Sequence, residues 1–245
     1  MKKILKVPSS QGCLGKNMGC ETAPDEICKY VKNNFFVDSV DVDDLNIEIT
    51  NKNIFDKARG FNGIIIGGDH SITYAAARAL ASDYKRVGFV MLDAHVDCTS
   101  YIKPPSHEDF LRVLIEDKVI NKRNILLMGA RKIYDAEEKY LKRRKLPVLD
   151  INNINSYKKS LKSLEKLDAV YLSIDIDAFD PKIAMGTGYK EKKGVSKKTM
   201  FLMLKYLKCM KNLKIVDIVE VNPKMDKNEK TVKLAAGIAD IFYAK

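Results

Sequence analysis

Val87-Gly88-Phe89-Val90-Met91-Leu92-Asp93-Ala94-His95-Val96-Asp97 runs from six core-type residues straight into three ionisable side chains set two apart. The run has the length and apolarity of a strand buried on both faces, which is the habit of parallel sheets. If the backbone stays extended, a period of two puts Asp93, His95 and Asp97 on one face. The same pattern recurs on either side. Gly63-Ile64-Ile65-Ile66 leads into Gly67-Gly68-Asp69-His70-Ser71, and Ala169-Val170-Tyr171-Leu172-Ser173-Ile174 leads into Asp175-Ile176-Asp177. Ligands of open parallel sheets collect beyond the carboxyl ends of the strands, so these three ends are expected to converge on one crevice.

The candidate ligands are His70, Asp93, His95, Asp97, Asp175 and Asp177, four carboxylates and two imidazoles. A lone aspartate at a strand end is usually a turn or cap residue, and a lone histidine is usually satisfied in the core. Here two of the chain's three histidines fall inside these segments, which a separate coincidence at each end explains poorly. Carboxylates in such number beside core strands call for a neutralising cation. The set is rich in oxygen and free of sulfur, favouring a hard or borderline divalent ion such as manganese over structural zinc. Four carboxylates balance two divalent cations, and such a pair lowers the pKa of water held between them.

These segments resemble the signatures of the arginase, agmatinase and related ureohydrolase family: Gly-Gly-Asp-His-Ser, Asp-Ala-His-x-Asp and, from Ser173 to Pro181, Ser-x-Asp-x-Asp-x-x-Asp-Pro. Gly186-Thr187-Gly188, Glu220-Val221-Asn222-Pro223 and Thr231-Val232-Lys233-Leu234-Ala235-Ala236 extend the match over most of the chain. The resemblance implies a three-layer α/β/α fold with a mainly parallel central sheet, arginase/deacetylase-like. It also implies a binuclear manganese hydrolase, with Mn2+ on the six ligands above, that cleaves a guanidino group into urea and an amine. By the same match Glu220 faces the guanidinium, which a carboxylate accepts through two parallel hydrogen bonds. His107, in Ser106-His107-Glu108-Asp109-Phe110-Leu111-Arg112, resembles the family histidine that passes a proton to the leaving amine, a task suited to imidazole. Asp97 joins Glu220 and His107 as the catalytic groups, while Asp69 and Asp180 orient ligands. Glu108 stands where the family usually has glycine.

Substrate identity is less legible. The segment from Cys98 to Ser106 is shorter than the loop with which arginases hold the amino-acid end of arginine. Tyr134, Asp135 or Glu137, in a Gly-x-Arg-like segment from Gly129, are candidates to meet a substrate amine, which favours agmatine. Lys103 is the alternative anchor, for the carboxylate of a guanidino acid or formiminoglutamate. Deacetylase chemistry on a single zinc fits four carboxylates poorly. A metal-stabilised scaffold without turnover is the non-enzymatic reading, motivated by the short loops and Glu108.

At 245 residues, with no Pro/Gly/Ser-rich linker, the chain reads as one domain, 1–245. A net charge of +11 invites nucleic acid, but the lysines are spread over helical surfaces without aromatic interleaving or a nucleic-acid motif. No apolar run is long enough to cross a bilayer, and Met1 to Val7 lacks the apolar core of a signal peptide, so a cytoplasmic setting is expected. Five cysteines without a Cys-x-x-Cys pair read as reduced thiols, Cys98 being the one beside the site. A homo-oligomer, trimer or hexamer, is what the family resemblance allows. Strands are expected at Lys3–Val7, up to Gly67, and at 87–92, 124–128, 169–174 and 215–219. Helices are expected near 23–26 and at 71–82, 136–144, 156–164 and 197–208. Asn34 to Thr50 has no assignment.

Overall fold

Strands and helices alternate along the chain in a computed structural model, which describes residues 1–243; residues 244–245, the end of the expected domain, lie outside. The elements are β1 (Lys3–Val7), α1 (Ala23–Cys28), β2 (Phe36–Ser39), α2 (Ile47–Ala58), β3 (Gly63–Gly67), α3 (Ile72–Asp83), β4 (Val87–Leu92) and α4 (Phe110–Glu116). They continue as β5 (Ile125–Met128), α5 (Asp135–Arg144), β6 (Val148–Leu149), α6 (Tyr157–Leu161), β7 (Ala169–Asp175), α7 (Lys197–Lys208), β8 (Leu213–Val219) and α8 (Lys230–Phe242). The strands form one sheet in the order β2-β1-β3-β8-β7-β4-β5-β6, and every pairing is parallel.

The period of two sorts each central strand onto two cores. Ile64, Ile66, Val90, Leu92, Leu172, Ile174, Val216 and Ile218 pack with α1, α6, α7 and α8 on one face. Leu5, Ile65, Phe89, Met91, Tyr171 and Ile215 pack with α2, α3, α4 and α5 on the other. Helices on both faces of a parallel sheet give the expected α/β/α sandwich, and its crossovers bring every strand's carboxyl end to one edge.

The unassigned stretch from Asn34 holds edge strand β2 and the start of α2. Phe36, Val37 and Asp38 are exposed, so the strand buries no face and shows no apolar alternation. Helix α2 is announced by Asn46, whose side chain accepts the Glu48 and Ile49 N–H groups. Helices α4 and α8 and the two-residue β6 also lie outside the expected elements.

Candidate metal centre

Strands β3, β8, β7 and β4 are neighbours, and their carboxyl ends carry His70, Glu220, Asp175 and Asp93 respectively to one place. The turn after β3 leaves no room for a side chain: a Cβ on Gly68 would lie 1.9 Å from the Ser9 carbonyl oxygen. All six expected ligands come together, although not as extended combs. Strand β4 ends at Leu92, and Asp97 sits at φ 46°, in the left-handed region. Asp177 lies in a 3-10 turn, Ile176–Ala178, which Asp175 caps by accepting the Asp177 N–H. Tight turns, rather than strand pleating, aim the donors.

His70 Nδ1 lies 3.1 Å from Asp93 Oδ2, 3.0 Å from Asp97 Oδ2 and 3.4 Å from Asp175 Oδ2. His95 Nδ1 lies 3.4 Å from Asp93 Oδ1 and 3.0 Å from Asp177 Oδ2. The donors thus form two groups, His70-Asp93-Asp175 and Asp93-His95-Asp177, each able to hold a metal ion, with Asp93 common to both. The second oxygens of these carboxylates are braced by backbone: Asp177 Oδ1 accepts Ala94 N–H at 3.0 Å, Asp93 Oδ1 accepts His95 N–H at 2.7 Å, and Asp175 Oδ1 accepts Asp177 N–H at 2.8 Å.

The sequence reading missed Asp217, the one charged residue in the buried middle of β8. It is fully buried and accepts four hydrogen bonds, from Thr73 Oγ1 (2.6 Å), Tyr171 OH (2.7 Å), Ser173 Oγ (2.6 Å) and Ile174 N–H (3.2 Å). Since Ser173 gives its proton to Asp217, its oxygen is left to accept from His70 Nε2–H at 2.8 Å. That sets the tautomer of the neutral ring and leaves Nδ1 facing three carboxylate oxygens. Burial disfavours a proton there, but the carboxylates of Asp175, Asp93 and Asp97 outweigh burial and raise His70 well above its ordinary value. With the ring neutral, His70 Nδ1 and Asp93 Oδ2 are buried without a hydrogen-bond partner. An imidazole nitrogen and several carboxylate oxygens crowded this closely fit a divalent cation that displaces the protons between them.

Residues 3–243 match the profile of the arginase family. The chain belongs to that family. An arginase from Staphylococcus aureus (strain COL) is 28% identical over 203 residues, 74% of this chain and 67% of that relative. In structure, the arginase of Bacillus subtilis superposes with a TM-score of 0.88 at 24% identity, covering 99% of this chain and 98% of its own. The formimidoylglutamase of Bacillus subtilis reaches 0.90 at 21% identity, covering 98% and 85%. Both share the fold. The chain is an arginase-family hydrolase, of the class acting on carbon–nitrogen bonds of linear amidines.

Burial and mutual repulsion dominate the electrostatics of this arginase-family centre. Burial, then the Asp93 charge, pushes Asp97 up to about 7 despite the His70 bond. Burial and the neighbouring carboxylates likewise raise Asp175 and Asp177. Asp93 goes the other way: burial opposes its charge, but both imidazoles outweigh burial and hold it low. Metal entry must therefore displace protons.

Glu220 and His107, expected in separate roles, are an ion pair. Glu220 sits at φ 64°, a left-handed position that turns its side chain into the site. Its Oε1 accepts His70 N–H at 2.7 Å and faces His107 Nδ1 at 3.1 Å, while its Oε2 accepts Asn17 Nδ2 at 2.5 Å. Asn222 Nδ2 in turn donates to Asn17 Oδ1 at 2.7 Å. The two asparagines come from loops and stand 205 residues apart, a pairing no local pattern announces. His107 Nε2 is buried and without a partner. Burial pushes the His107 imidazolium down, but the Glu220 bond and charge overcome it and the net shift is upward.

Other expectations shift. Tyr134 lines the pocket, as does Glu137, but Asp135 is exposed on the first turn of α5 and not part of the lining. Glu137 accepts the Cys98 and Tyr134 N–H groups, so it braces the loop. Lys103 is spent on Asp117, at 2.9 Å, outside the site. Burial raises the Cys98 thiol well above its ordinary range, which leaves it an unreactive core group. Asp69 accepts the Gly12 and Ser71 N–H groups and Asp180 those of Lys182 and Gly194, so both hold loops rather than ligands. Arg131 clamps the Asp177 turn, donating to the carbonyls of Asp177, Ala178 and Phe179. Among the described residues no helix is long and apolar enough to cross a membrane.

Proposed function

We infer that the chain is a binuclear manganese-dependent ureohydrolase releasing urea from a small guanidino substrate whose far end bears no carboxylate, with agmatine preferred. The observation that carries the substrate class is the pocket wall. It presents the carboxylates of Asp97, Glu108, Glu137, Asp175, Asp177 and Glu220 and no lysine or arginine. Asp97, Asp175 and Asp177 would be neutralised by the cations and Glu220 by the guanidinium, so discrimination at the far end falls to Glu108 and Glu137 on the rim. These favour a cationic tail and offer a substrate carboxylate no partner, which speaks against guanidino acids and formiminoglutamate and, less strongly, against arginine.

In this reading His70, Asp93 and Asp175, with Asp97 beside them, would hold one cation, and Asp93, His95 and Asp177 would hold the other. When bound, the pair supplies activated water and charge stabilisation at the attacked carbon. Glu220 receives the guanidinium fork, which competes with His107 for Oε1. His107, protonated and with Nε2 free, donates the proton that the leaving amine needs as the carbon–nitrogen bond breaks. Substrate selection falls to Tyr134, Glu108 and the rest of the rim rather than Asp135.

The test is a urea-release screen of manganese-loaded protein over agmatine, arginine, guanidinobutyrate and guanidinopropionate, with formamide release from formiminoglutamate in parallel. Agmatine is expected to give the highest kcat/KM, and absence of release from every compound would leave a metal-stabilised scaffold.

The His107 assignment predicts a pH dependence. A general acid works while protonated, and its pKa stands above the ordinary 6.5, so kcat/KM is expected to fall as pH rises through that raised value. His107→Asn is expected to lose roughly a hundredfold in rate and, with it, this alkaline limb. A pH–rate profile in which the variant keeps the same limb would assign that limb to another group.

A further inference from the structure

Three loops meet over the mouth of the pocket. Lys16, from the loop after β1, reaches Glu108 Oε1 at 2.6 Å; Tyr189, from the segment after β7, donates its hydroxyl to the same oxygen at 3.0 Å. Glu108 belongs to the turn before α4 and lines the pocket, whereas Lys16 approaches from the solvent side with its side chain 49% exposed. The Tyr189 ring packs edge-on against His95, centroids 5.3 Å apart, and tilted against His107 at 5.7 Å. The carboxylate is therefore held at the outer end of the wall whose inner end is the histidine and aspartate cluster. Glu108 Oε2 carries no hydrogen bond among the described residues.

We propose that Glu108, seated by Tyr189, is the specificity-determining acceptor for a cationic tail on the substrate, and that Lys16 is the internal cation it exchanges for that tail. The inference rests on the guanidino-hydrolase reading and adds the far end of its substrate. The inner cavity is about 30 Å³, room for little more than a water molecule, so the tail of a guanidino compound must lie at the rim, where Lys16 holds Glu108. A tail entering there parts Lys16 from Glu108. An incoming ammonium then restores the lost pairing charge for charge, and no net charge is left against Glu108. A carboxylate tail meets Glu108 with the wrong sign, and an uncharged tail leaves it unpaired. An exposed ion pair contributes little to stability on its own, so the value of this pair lies in its place on the rim.

The experiment compares wild type, Glu108→Gln and Lys16→Met as manganese-loaded proteins of verified metal content. It measures kcat/KM for agmatine, which has an ammonium tail, and for 4-guanidinobutyrate, which has a carboxylate tail. In parallel, calorimetry measures binding of putrescine, a diamine that cannot be hydrolysed. Glu108→Gln is expected to lower the agmatine to guanidinobutyrate ratio by about tenfold or more, mainly through KM for agmatine, and to weaken putrescine by a similar factor. Lys16→Met, which removes the competing ammonium, is expected to tighten putrescine. Loss of activity on both substrates in equal proportion, or a putrescine affinity indifferent to Glu108→Gln, would overturn the proposal while leaving guanidino hydrolysis intact. If no guanidino compound releases urea, the reaction reading fails, and putrescine binding that depends on Glu108 would still support the cation site.

Discussion

Asp93→Ala is expected to lower metal content from two ions per chain to less than one and to cut urea release by about a thousandfold or more. The reason is geometric. Among the described residues Asp93 is the one side chain common to the two metal-competent groups, with Oδ2 toward His70 and Oδ1 toward His95. Asp177→Ala touches one group alone, so it is expected to retain about one ion while also losing turnover. Glu220→Ala, with no ligand in either group, is expected to keep both ions and lose substrate. Elemental analysis with urea assays on the three variants separates these outcomes. Equal metal loss in the Asp177 and Glu220 variants would contradict the assigned roles.

Asp217 carries the second large effect, although it touches no substrate or metal-competent group. Its removal in Asp217→Ala strands the hydroxyls of Thr73, Tyr171 and Ser173 in a fully buried part of the sheet, at a cost of roughly 3–5 kcal/mol. Asp217→Asn preserves shape but offers donors where the carboxylate only accepts. Its amide oxygen can stay toward Ile174 N–H and Ser173, so the relay is broken instead by Ser173→Ala, which removes the oxygen facing His70 Nε2. Metal affinity is expected to fall about 10- to 100-fold, with the ion beside His70 lost first. Denaturant unfolding of the Asp217→Ala variant and metal titration of the Ser173→Ala variant measure the two consequences. Wild-type metal binding by Ser173→Ala would show that the relay does not set the His70 tautomer.

The core strands were legible because burial on both faces writes continuous apolar runs: Val87–Leu92 has its expected bounds, and β3 and β7 end where their carboxylates begin. Edge strand β2 was not, since exposure of Phe36 and Val37 removes the pattern that marks a strand. All six candidate ligands were readable as ionisable groups at strand ends. Their geometry was not, because the turns at Asp97 and Asp177 depend on backbone conformations that a spacing of two does not encode. Asn17 and Asp217 were missed for different reasons. Asn17 acquires its meaning only through Glu220 and Asn222, far along the chain. Asp217 did carry a signal, a carboxylate in the apolar run Ile215-Val216-Asp217-Ile218-Val219, which is costly unless its hydrogen bonds are met.

The departures at the rim explain why the substrate is harder to read than the reaction. Lys103, a candidate carboxylate anchor, is paired with Asp117 outside the site. Glu108, where glycine is usual in the resembled segment, is tied to Lys16 and Tyr189. The cluster chemistry rests on residues packed against the sheet, whereas the rim is built from loops whose meeting depends on the whole fold.

The most direct test of the paired centre is anomalous diffraction at the manganese edge from crystals of the manganese-loaded protein. The expected result is two peaks flanking the Asp93 carboxylate, one beside His70 Nδ1 and one beside His95 Nδ1. A single peak, or two that do not share Asp93, would contradict it.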